Sequence, residues 1–173
     1  MNSRLLCSVV LSAGLFRCIS AQAQSGSDKT FLEKSSQGNV AEVELGKLAL
    51  QKTHNPSVRA FAQKMIRDHE TLAEKMKPFV ESAGLTPSTS LNGEHQALYD
   101  KLNGLSGAEF DREYVTAMDK DHHQDLAQFR SELSSTQDPK LKAAVGSGEK
   151  VIAEHTRMID NLSRKMGITP AGS

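Results

Sequence analysis

The chain is 173 residues long, with 21 basic and 21 acidic side chains, 38% hydrophobic residues, 24% charged residues and no tryptophan. That length suits one domain with a sizeable core, and the composition excludes a disordered or fibrous chain. Charges of both signs are interleaved rather than blocked, which argues against a polyanion-binding surface and against nucleic acid as a partner.

Residues 1–23 read as a secretory signal peptide. Arg4, the apolar stretch Leu5 to Phe16 and the small-residue run Ala21-Gln22-Ala23 have the layout of one, with cleavage expected after Ala23. The stretch is about twelve residues, short of the roughly 20 that span a bilayer. Arg17 interrupts any extension, so the mature chain is expected to have no transmembrane segment. Cys18 follows that arginine, where a lipid-attachment site would want a small residue. Removing the leader takes away Arg4, Arg17 and both cysteines, leaving 19 basic against 21 acidic residues and no thiol. The expected product is a periplasmic or secreted single domain, residues 24–173, held by its core without disulfides.

From Thr30 to about Thr53 the pattern is helical, opened by a capping box of Thr30 with Glu33. Phe31, Ser35, Gly38, Glu42, Leu45 and Ala49 share one face. Asn55-Pro56 marks the next boundary, with Asn55 as N-cap and Pro56 in the first turn of a second helix. Its apolar stripe runs through Val58, Phe61, Met65, His69, Leu72, Met76 and Phe79 to about Ser82, where Ala83-Gly84 and Pro87 stop it. Residues 84–106 are rich in Gly, Ser, Thr, Pro and Asn, with room for a short helix from His95 to Leu102. This connection is longer than adjacent helices need, which predicts a crossover along the bundle.

Ser106 with Glu109 predicts another capping box, opening a helix that carries Phe110, Tyr114, Met118, His122, Leu126, Phe129 and Leu133 on one face. Asp138-Pro139 repeats the earlier boundary. Leu141, Val145, Gly148, Ile152, His155, Ile159, Leu162 and Met166 then mark the last helix, with Gly146 and Gly148 as weak points. Asn55-Pro56-Ser57-Val58-Arg59-Ala60 resembles Asp138-Pro139-Lys140-Leu141-Lys142-Ala143, so the chain reads as two helical hairpins. The expected fold is all-α: a four-helix bundle.

The pentapeptide Met-x-x-Asp-His occurs twice, at Met65–His69 and Met118–His122, and each copy puts a histidine on an apolar helix face. Glu42 and His69 lie 13 and 14 positions from Asn55, about 20 Å along their helices. His122 and His155 lie 16 and 17 positions from Asp138, about 24 Å from that turn. Glu42, His69, His122 and His155 are therefore expected to converge in one mid-bundle layer. Imidazoles with a carboxylate suit zinc, copper, iron or nickel, which makes a transition-metal ion the candidate cofactor. The other open reading is structural, with buried histidines hydrogen-bonded to carboxylates such as Asp68, Asp121, Glu154 or Glu44.

Elsewhere ordinary roles suffice. His54 is a cation at a helix C-terminus, His123 points about 100° away from His122, and His95 is expected to be exposed. Met65, Met76, Met118, Met158 and Met166 follow helical periodicity as core filler. No phosphate loop, nucleophile elbow or metalloprotease motif is present, so nothing marks an enzyme. Oligomeric state and protein partners are not written in the sequence.

The residues Glu42-Val43-Glu44-Leu45-Gly46-Lys47-Leu48-Ala49, Phe61 to His69, Phe110-Asp111-Arg112-Glu113-Tyr114 and the second Met-x-x-Asp-His carry a resemblance over about residues 28 to 165. The chain resembles a family of exported bacterial proteins known as a domain of unknown function and often labelled outer membrane proteins. That resemblance implies a ferritin-like four-helix bundle in the periplasm or envelope, without an established activity. The paired Glu-x-x-His motifs of di-iron ferritin-like enzymes are absent, Asp119-x-x-His122 coming nearest. No alternating lipid-facing strands support an outer-membrane barrel.

Overall fold

The computed structural model describes residues 25–172. The expected leader, residues 1–23, lies outside them, as do Cys7 and Cys18. Five helices and no strands form among the described residues: α1 (Gly26–Lys52), α2 (Pro56–Ser82), α3 (Gly93–Asn103), α4 (Gly107–Ser135) and α5 (Pro139–Lys165).

Cap chemistry explains most of the boundaries. The Asn55 side chain accepts from the Ser57 and Val58 amides, and Asp138 does the same for Lys140 and Leu141, with Pro56 and Pro139 opening each helix. One expected cap moves and another keeps its place without its hydrogen bond. α1 begins at Gly26 rather than Thr30, because Ser25 and Asp28 exchange both hydrogen bonds of a capping box at 3.1 and 3.0 Å. Thr30 instead donates its hydroxyl to the Gly26 carbonyl at 3.0 Å. Ser106 caps α4 without a side-chain hydrogen bond, since Gly107 enters the helix at φ +56°.

α1 and α2 form one antiparallel hairpin, α4 and α5 the other. Phe31 meets Phe129 edge-on with ring centroids 5.0 Å apart, and Gly38 faces Asp125, so α1 and α4 also run antiparallel. Phe61 and Leu162 line one groove while Leu72 lies against Gly148, which sets α2 antiparallel to α5. The two hairpin turns therefore sit at opposite ends, and α2 and α4 point the same way. Residues 83–106 must climb the length of the bundle to connect them. They do so along α1: the Ser88 amide donates to Ser36 Oγ at 2.8 Å, Asn92 to Gln37 at 3.1 Å, and Lys52 reaches the Asn103 carbonyl. This is the ferritin-like arrangement.

A polar layer divides the core. On one side Leu45, Leu48, Phe61, Met65, Phe110, Tyr114, Met118 and Ile159 pack together; on the other, Leu32, Leu72, Met76, Phe129, Val145 and Ile152. Glu42, His69, His122 and His155 lie between the two clusters, all buried.

Gly148 is where α5 approaches its neighbours most closely. A Cβ there would stand 2.5 Å from Phe129 Cε1 and 3.2 Å from Leu72 Cδ1. Alanine in a helix interior is worth about 1 kcal/mol over glycine, whereas overpacking costs about 1–3 kcal/mol. Gly148→Ala is expected to lower the urea midpoint. Gly146→Ala, whose Cβ would meet only the flexible tip of Leu133 at 3.3 Å, is expected to raise it. A gain at both positions would show that the Phe129 ring moves aside freely.

Candidate metal centre

Each histidine reaches the layer from a different helix: His69 from α2, His122 from α4 and His155 from α5. One ring nitrogen from each lies within 4.8 Å of the others. Their ring centroids stand 5.8, 5.3 and 5.5 Å apart for the pairs His69–His122, His69–His155 and His122–His155.

Every ring is held by one nitrogen. His69 Nδ1–H donates to Asn39 Oδ1 at 3.0 Å, His122 Nδ1–H to the Met118 carbonyl at 2.8 Å, and His155 Nε2–H to Asp68 Oδ2 at 2.8 Å. The opposite nitrogens, His69 Nε2, His122 Nε2 and His155 Nδ1, are buried with no hydrogen-bond partner. An anchored N–H fixes the tautomer and the ring plane and leaves the other lone pair available.

Burial lowers the pKa of all three imidazoles. For His69 the mutual repulsion of His122 and His155 adds to it; for His122 the result is a pKa of about 4, despite the Asp121 charge. In His155 the hydrogen bond to Asp68 opposes burial without overcoming it. Partial burial raises the Asp68 carboxyl, but hydrogen bonds from Lys64 and His155 outweigh this and hold it below its ordinary value. At neutral pH the layer thus presents three uncharged rings and one ionised, lysine-paired carboxylate behind them.

Glu42 shares the layer but belongs to a second group. Its Oε1 is 3.8 Å from His122 Nδ1, and one ligand atom each from Glu42, Asp121 and His122 lie within 4.8 Å of one another. Glu42 is 1% exposed, and neither carboxylate oxygen has a hydrogen-bond donor. Burial, followed by the Asp121 and Asp125 carboxylates, raises its pKa well above the ordinary range. Burial and then Asp121 push the Asp125 carboxyl up to about 8. Tyr114 completes the surroundings, with its hydroxyl buried and unpartnered.

Two participants escaped the sequence reading, Asn39 and Asp125. Asn39 is 3% exposed and stands three residues before Glu42 on the same face of α1. A buried amide on an apolar stripe was the available signal. Asp125 follows Asp121 by one helical turn. The remaining histidines separate as follows. His54 is exposed, and His123 pairs with Asp160 at 2.9 Å. His95 is half-buried rather than exposed, because the crossover lies against α1 and covers one side of α3; its Nδ1 has no partner. Met65, Met76 and Met118 are core residues, and Met158 and Met166 pack at its edge.

The sequence profile of DUF4142, a domain of unknown function, matches residues 18–162. The chain belongs to the DUF4142 family. A search of curated proteins gives no match to this DUF4142 chain. Solved structures do match it. A DUF305 fragment from Deinococcus radiodurans superposes with a TM-score of 0.70 at 15% identity, covering 83% of the DUF4142 chain and 97% of its own. A DUF305 protein from Streptomyces coelicolor, described as secreted, gives 0.68 at 16% identity, with 84% and 95% covered. CopM in its Cu(I)-bound form gives 0.65 at 19% identity, with 80% and 96% covered. At these identities the likeness is one of fold. No described helix of the DUF4142 chain is long and apolar enough to cross a membrane.

Proposed function

We propose that this protein is an exported helical bundle that binds one transition-metal ion through His69, His122 and His155, with Glu42 next to the His122 ring. The observation carrying this reading is the pairing of an anchored nitrogen with an unpartnered one on all three rings. A buried nitrogen without a partner costs about 1–3 kcal/mol, so three of them in one histidine cluster call for a ligand that accepts their lone pairs. Imidazole sets of this kind suit copper and zinc, and a site walled by apolar clusters favours the ion of lower charge. Copper is therefore the first candidate, in keeping with the fold shared with Cu(I)-bound CopM. The reading includes removal of residues 1–23, a single domain over 24–173 and a periplasmic or secreted location, supported by the leader pattern and by the secreted neighbour.

The hydrogen bonds from Asn39 and Asp68 also favour a second reading, a non-enzymatic envelope or stress-related protein whose histidines organise the core. Metal analysis of tag-free protein, with titration of Cu(I) and Zn(II), separates the two. The expected result is one ion per chain for the wild type and a loss of at least about 10–100-fold in affinity for His69→Ala, given what removing even an outer partner of a ligand costs. Equal and negligible binding by both proteins overturns the metal reading and leaves the structural one.

A further inference from the structure

The seam between α1 and α4 differs from the seam between α2 and α5 in how a cation would meet it. On the α2–α5 side, Lys64 sits over Asp68 at 2.8 Å and reaches Glu154 at 3.3 Å, placing an ammonium outside His155. On the α1–α4 side, Asp125 and Asp121 are half-buried, and among the described residues neither pairs with a basic side chain. Asp125 lies next to Gly38, where a Cβ would be 3.8 Å from its Oδ2, so no α1 side chain stands between them. One turn earlier on α4, Asp121 meets Glu42 and His122. Glu42 is fully buried with both oxygens unpartnered, and it stands 3.8 Å from a ring that also belongs to the three-imidazole set.

We infer that Asp125, Asp121 and Glu42 form the loading path of the metal centre, a file of oxygen ligands that takes a hydrated cation from the surface and brings it to the edge of the His122 ring, beside the three-imidazole set. The inference rests on the metal-binding reading above. Carboxylates are hard, readily exchanged ligands that can replace water one at a time, whereas the imidazoles behind them hold a borderline ion more firmly. The ordering of ligands from half-exposed oxygen to buried nitrogen gives the path its direction.

The test is stopped-flow loading of the full mature chain with Cu(II), read by its absorption, together with an equilibrium titration. Asp125→Asn, whose amide cannot give up a proton to take the cation, is expected to slow association at least about fivefold, while the affinity changes far less. Lys64→Met is expected to load at the wild-type rate. Wild-type loading kinetics in Asp125→Asn, or faster loading in Lys64→Met, overturns the path and moves access to the α2–α5 seam. Failure of the wild type to bind Cu(I), Cu(II) or Zn(II) overturns the metal reading instead.

Discussion

Replacing His122 with alanine is expected to remove metal binding altogether under conditions where Asp68→Asn only weakens it. His122 is the one ring common to the three-nitrogen set and to the Glu42–Asp121 group, so its loss leaves two imidazoles on one side and a carboxylate pair on the other. Asp68 acts through His155: it accepts a hydrogen bond from Nε2–H and thereby leaves the Nδ1 lone pair free. Its loss belongs with outer-shell changes, worth about 10–100-fold in affinity, and removal of a direct ligand is expected to exceed that. Thermal unfolding gives a readout that a purely structural role does not imitate. At a free metal concentration 100 times Kd, binding stabilises the native chain by about 2.7 kcal/mol. For a domain of this size that is a Tm rise of roughly 5–11 °C. The rise is expected in the wild type and absent in His122→Ala, whatever the Tm of the metal-free variant. An equal rise in both proteins would show that the ion binds elsewhere.

Glu42→Leu is expected to stabilise the metal-free protein. A carboxyl buried with both oxygens unpartnered carries a desolvation cost of about 1–3 kcal/mol. Leucine has a similar volume and extends the apolar packing of Leu45 and Ala41 along the same stretch of α1. The gain is expected to appear as a Tm increase of roughly 2–12 °C in the presence of a chelator. Loading with metal is expected to be slower in the same variant. Glu42→Gln, which keeps polar atoms in the same place, is expected to recover little of the stability. A metal-free Glu42→Leu protein less stable than wild type would show that Glu42 has a structural partner, with Asp121 the first to examine.

The parts of the fold legible in the sequence were those decided locally. Asn55-Pro56 and Asp138-Pro139 set helix starts by chemistry confined to three or four residues, and the mid-bundle layer followed from a fixed rise per residue in uninterrupted helices. What failed depended on distant neighbours. Thr30-x-x-Glu33 and Ser25-x-x-Asp28 both satisfy the capping-box pattern in α1; the earlier start prevails with Asp28 and Phe31 buried and Phe31 against Phe129 of α4. His95 looked solvent-facing because nothing in residues 84–106 specifies which helix the crossover follows. Asn39 looked like an ordinary polar residue until α2 brought His69 against it. The depth of the histidines was thus readable, while their hydrogen-bond partners and the separation of Glu42 from the three rings were not.

The shared direction of α2 and α4 gives the Met-x-x-Asp-His repeat a meaning that duplication does not. The Asn-Pro and Asp-Pro boundaries relate α2 to α5, so a duplicated hairpin would align His69 with Ile152 and set α4 against α1 rather than α2. The repeat instead links two diagonal helices that run the same way. Met65 and Met118 consequently stand on the same side of the layer, each one turn before its histidine and each fully buried. On the opposite side the corresponding turn carries Leu72 and Leu126. The centre therefore has two unlike faces along the bundle axis: one with polarizable sulfur nearby and one that is plain hydrocarbon.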